Sequence, residues 1–275
     1  MLKKVLKYDF LPVYRYWWIA AVSVILLSVF SGIGLSAQLS GRMHSSMIDM
    51  LSVLGTMLMV LAYGAFAVFS AILVYGRFYK NFFTDEGYLT FTLPVKHSVL
   101  LNSKIILSMV TTIATGFVIC LSLGLFFSIG LFSTEFGTDL SGIFSEGTLI
   151  FNETAAAYIL IFILEFILFA LLSTLLSCLC IFVCITIAGI LVKKAKILAA
   201  IGIYYGASAV YSFIARIISY LVLDRYSYRT HFMSDQEITR AMALLGLGVI
   251  VLTAIGCALL YVFEHWMLSK KLNLE

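Results

Sequence analysis

Residues 155–192 read AAAYILIFILEFILFALLSTLLSCLCIFVCITIAGILV, an apolar run that carries one charge, Glu165. As a helix it would be on the order of 55 Å long, against about 30 Å of bilayer hydrocarbon. It therefore suits a membrane helix that tilts, breaks or projects beyond the lipid. Lys193, Lys194 and Lys196 follow it, which points to projection into water on that side.

The rest of the chain agrees. Of 275 residues, 62% are hydrophobic and 12% charged, with a mean hydropathy of +1.07. Soluble domains hold about 45–50% apolar and about 25% charged residues. So little polar surface cannot cover a soluble fold, and so apolar a chain is not disordered. Nineteen glycines and two prolines exclude collagen. The solvent for most of this protein is lipid.

Hydropathy places six transmembrane helices, at about 16–37, 47–75, 105–132, 155–192, 197–223 and 241–268. The expected fold class is all-α: one polytopic domain over 16–275, preceded by an in-plane amphipathic helix over 1–17. In that first segment Leu2, Val5, Leu6, Phe10, Val13, Tyr14 and Trp17 follow three-four spacing, and Lys3, Lys4 and Lys7 project elsewhere. Pro12 would interrupt the ladder and turn the chain toward the membrane. Tyr16, Trp17 and Trp18 suit an interfacial belt. No cleavable signal peptide is expected, because the first apolar run is too long for one.

Basic residues orient the spans. They gather at the N-terminal segment (Lys3, Lys4, Lys7, Arg15), the second connection (Arg77, Lys80, Lys96, Lys104), the fourth (Lys193, Lys194, Lys196) and the tail (Lys270, Lys271). The opposite segments hold Arg42, Arg225, Arg229 and Arg240, and residues 133–154 hold acids without a base. The positive-inside rule puts both termini in the cytoplasm.

The second connection, GRFYKNFFTDEGYLTFTLPVKHSVLLNSKI over 76–105, exceeds the roughly 2–8 residues that join antiparallel helices. Asp85 and Glu86 precede the permissive Gly87, residues 88–93 suit a short helix, and Pro94 stops it. The result is an apolar knob with two acids. An interfacial loop on headgroups would use Phe82, Phe83, Tyr88 and Phe91 equally well, although anionic headgroups repel carboxylates.

The stretch DEGYLTFTLP followed by a hydrophobic helix near Lys104 resembles the coupling region of bacterial ABC exporter permeases of the type V fold. The opening LKKVLKYDF is similar to their N-terminal elbow helix. The tail VFEHWMLSKKLNLE is similar to the end of many such permeases from Gram-positive bacteria. The resemblance implies a coupling loop over 76–104 that docks on a separate ATPase subunit. Carried onto this chain, Asp85, Glu86, Gly87, Tyr88 and Leu89 would lie in or beside the docking knob, with Glu86 contacting a basic ATPase residue. Phe82, Phe83, Leu93 and Pro94 would shape its apolar anchors. The resemblance also implies two ATPase subunits, a second permease (identical or homologous), location in the bacterial cytoplasmic membrane, and cargo such as antimicrobial peptides, drugs or lipid-like molecules.

Enzymatic patterns are missing. The sequence has no GxxxxGK[ST] loop, so ATP and Mg would be bound by the partner ATPase and this chain needs no cofactor. HExxH, CxxC and GxSxG are missing too. Neither catalysis of covalent chemistry nor a nucleic-acid partner is expected. Cys120, Cys178, Cys180, Cys184 and Cys257 fall within spans and read as small apolar fillers. Cys180 and Cys184 share a helix face but lack a His or acid to complete a metal site.

Two ionisable residues lie within the bilayer region, Glu165 and Arg216. Their depths differ by roughly 5 Å, so an ion pair is allowed. They read either as a structural lock between helices or as a polar patch contacting substrate. Glu264 is expected to meet water or the N-terminal helix. Gly202 and Gly206 form a GxxxG spacing that suits a subunit seam or packing within the chain. Besides the exporter, two readings stand: an ion-coupled secondary transporter using Glu165 and Arg216, and a scaffold or sensor without transport.

Overall fold

The computed structural model describes residues 2–39, 46–84, 97–132, 153–192, 195–230 and 235–270. Among them every regular element is an α-helix: α1 (Leu2–Leu39), α2 (Ser46–Phe83), α3 (His97–Phe132), α4 (Glu153–Leu191), α5 (Lys196–Thr230) and α6 (Asp235–Lys270). All six are long and apolar enough to cross a membrane. A multi-pass membrane protein is thus what the chain builds. Helices suit that solvent because they satisfy their own backbone groups.

Several helices outrun their hydropathy limits. Pro12 lies inside α1, which is helical without interruption, so the break expected there does not occur. Proline removes one donor, but its φ of about −65° is helical. α4 is likewise unbroken. The largest difference is at the second connection, where α2 continues to Phe83 and α3 begins at His97. Residues 76–83 and 97–104 of the expected loop are thus helical, and 85–96 lie outside the described residues. Arg77 and Lys104 had read as residues beyond the spans; they lie inside helices, each bonded to Asp9.

Two compact units divide the chain, Met1–Phe78 with Asn102–Asn152, and Tyr79–Leu101 with Glu153–Glu275. In the first, α1 and α3 run side by side in the same direction. Asp9 meets Lys104, Trp17 meets Thr115, and Gly32 meets Phe126. α2 runs antiparallel to α1, with Trp17 against Phe66 and Ser31 against Met59. Trp17, Ala21, Val24 and Phe66 form one buried cluster, and Val13, Val74 and Leu107 another. The α1–α3 approach is close. A Cβ on Gly32 would stand 3.2 Å from the Phe126 carbonyl oxygen.

In the second unit α4 and α6 are parallel neighbours. Tyr158 meets Arg240, Leu172 meets Cys257, and Thr186 meets Glu264. α5 packs on α4, and Ala195, just before α5, has φ 58°. Hydroxyls in both units serve their own helices. Ser28, Ser70, Ser108, Thr111 and Ser212, for example, donate to carbonyls three or four residues back. That satisfies a hydroxyl where water is excluded.

Candidate functional site

Among the described residues, charged side chains are buried at three places in the helices. The first joins three helices of the first unit. Lys104 Nζ donates to Asp9 Oδ1 at 2.6 Å, with the two side chains 4% and 10% exposed. Arg77 donates to the Asp9 backbone carbonyl at 3.0 Å. Asp9 Oδ2 is buried without a hydrogen-bond partner. Asp9 thus fastens the start of α1 to the last turns of α2 and the first turns of α3, which flank residues 85–96. Hydropathy missed this cluster because its members are 68 and 95 residues apart in sequence. One signal was available: Asp9 is the single acid amid the basic residues of the N-terminal segment.

On the second unit's side of the same connection, Phe82 is fully buried, and the Phe83 ring lies on the bare backbone of α4 at Gly189. A Cβ there would come within 2.5 Å of the ring. Both aromatic rings therefore pack inside this chain. Asp85, Glu86, Gly87, Tyr88, Leu89, Leu93 and Pro94 lie outside the described residues.

The second cluster is Glu264 with Thr186. Glu264 is completely buried, and the Thr186 hydroxyl donates to its Oε1 at 2.6 Å. Oε2 has no hydrogen-bond partner. The expectation that Glu264 meets water or the N-terminal helix is corrected: the α6 face that carries it packs on α4, with Thr186 directly opposite.

The third site is Glu165. It is 7% exposed, and its carboxylate sits over Gly246 of α6, where a Cβ would fall 2.5 Å from Oε2. Oε1 is buried without a hydrogen-bond partner. The carboxylate lines a cavity of about 630 Å³ walled by Phe162, Phe166, Phe169, Val249 and Ile250. Arg216 is not among the lining residues and lies on the exposed side of α5. The structure thus brings Glu165 to Gly246 of α6. The readable signal was Gly246 itself, a missing side chain in a span that leaves room for a carboxylate.

Gly202 and Gly206 are exposed, and among the described residues nothing stands within 4 Å of the positions their Cβ atoms would take. Their face is therefore not used for packing among the described residues. No group of three His, Cys, Asp or Glu that could hold a metal occurs among them either.

Comparison of the chain with protein-family models, curated proteins and solved structures finds no significant match.

Proposed function

We propose that this chain is the membrane-spanning permease subunit of an ATP-driven exporter of the ABC type V kind, with ATP hydrolysed by a separate partner. The observation that carries the reading is the anchoring of the second connection at its roots. Asp9 holds Arg77 and Lys104, while Phe83 rests on Gly189. A load applied to residues 85–94 would pass through Arg77 and Lys104 into α1, and through Phe83 into α4. A loop that merely rested on headgroups would not need ionic and aromatic fastenings at its base.

In this reading the 85–94 knob docks on the ATPase, with Glu86 as the ionic contact. Both termini are cytoplasmic. A second permease, identical or homologous, completes the pathway in the bacterial cytoplasmic membrane, and the open Gly202–Gly206 face of α5 suits that seam. The cargo is amphipathic or hydrophobic.

The test is co-purification from the native membrane. The chain should retain an ATPase of the transporter type, and Glu86→Arg should release it. Cargo movement by the purified chain alone, driven by an ion gradient, would overturn the exporter reading in favour of a secondary carrier.

A further inference from the structure

We propose that the groove between α4 and α6 binds a lipophilic organic cation, whose charge is held by Glu165. A carboxylate removed from water costs heavily unless a partner or proton neutralises it. Glu165 is nine-tenths buried, yet among the described residues its Oε1 has no hydrogen-bond partner and it is the one charged residue lining the cavity. The fold makes room for it at the expense of packing: Gly246 offers bare backbone where any side chain would collide with Oε2. The group is thus held at the floor of an apolar groove with its Oε1 unspent.

The walls narrow the ligand class. Phe162, Phe166 and Phe169 line the groove beside the carboxylate, and aromatic faces attract organic cations as well as apolar bodies. A volume of about 630 Å³ suits a drug-sized molecule. Inorganic cations are a poor fit, because a hard metal ion needs several oxygen ligands and the groove supplies one carboxylate. A phospholipid headgroup is also disfavoured, since its phosphate would be set against Glu165. A freely diffusing cation with an aromatic or aliphatic body satisfies both the charge and the walls.

That this ligand is the cargo rests on the exporter reading, whereas its binding does not. The experiment is equilibrium binding of radiolabelled tetraphenylphosphonium to the purified chain in nanodiscs, against neutral triphenylphosphine oxide as competitor. The wild type should prefer the cation by on the order of tenfold or more. Glu165→Gln should bring the two ligands to within about twofold of each other. An equal affinity of the wild type for both ligands, or an undiminished preference in Glu165→Gln, would overturn the site. The wild-type comparison stands even if the variant fails to fold. Cation preference without ATPase association would sink the exporter reading alone, and ATPase association without cation preference would sink this inference alone.

Discussion

The Lys104 ammonium and the Asp9 carboxylate meet at 2.6 Å in the interior of a helical unit, 95 residues apart in sequence. Neither group is exposed enough for water to replace the other. The pair therefore behaves as a matched set, and its removal should be asymmetric. Asp9→Leu or Lys104→Met alone should cost about 3–5 kcal/mol, because each strands a buried charge. The double replacement should cost clearly less than either single one. Thermal unfolding of the purified chain in detergent measures this, and a double variant less stable than both singles would contradict it.

Thr186 donates to Glu264 from the facing helix. Thr186→Val keeps the shape but takes from Glu264 Oε1 its donor, and should destabilise by about 1–3 kcal/mol. Thr186→Ser retains the hydroxyl and should recover most of the loss. Denaturation midpoints of the two variants, side by side, decide the matter.

Gly189 and Phe83 form a ring-on-backbone contact. Gly189→Ala should cost about 1–3 kcal/mol, since the ring must move away from the new methyl group. Phe83→Ala in the same chain should remove that added cost. A double-mutant cycle in thermal stability should yield a coupling of about 0.5–3 kcal/mol, and strict additivity would deny the contact.

Ala195, just before α5, has φ 58°, a conformation in which a Cβ costs roughly 1–2 kcal/mol. Ala195→Gly should raise stability by up to about 1 kcal/mol, the relief being offset by the greater freedom of glycine in the unfolded chain. A rise in the thermal midpoint without change in helix content is the expected result.

Much of the fold was legible because lipid imposes a length and a composition on each crossing. Six apolar runs could be read as six helices, and α4 was visible from its sequence alone. The helix ends were not legible. Arg77 and Lys104 look like the end of a span when counted by hydropathy, but Asp9 lets both stay in helices. Such a bond is written in no local window. The candidate sites were half legible for a related reason. Glu165 was conspicuous as a charge in an apolar run, and a charged partner was sought at Arg216. What the structure sets beside it is the space over Gly246, and sequence patterns advertise charge more loudly than room. Glu264 escaped because its partner is a threonine, a residue that gives no signal of its own in a membrane helix.

The inward-turned hydroxyls have a mechanical meaning. A serine such as Ser28 or Ser108 that spends its proton on its own helix gives that helix no directional grip on its neighbour. Along such stretches the helix surfaces meet through dispersion contacts, which hold bodies together yet resist sliding only weakly. Grip comes instead from bonds between helices, such as Asp9 with Lys104, Trp17 with Thr115 and Thr186 with Glu264. Each unit is a set of greased rods pinned at chosen heights, and where it is pinned decides which rods turn together.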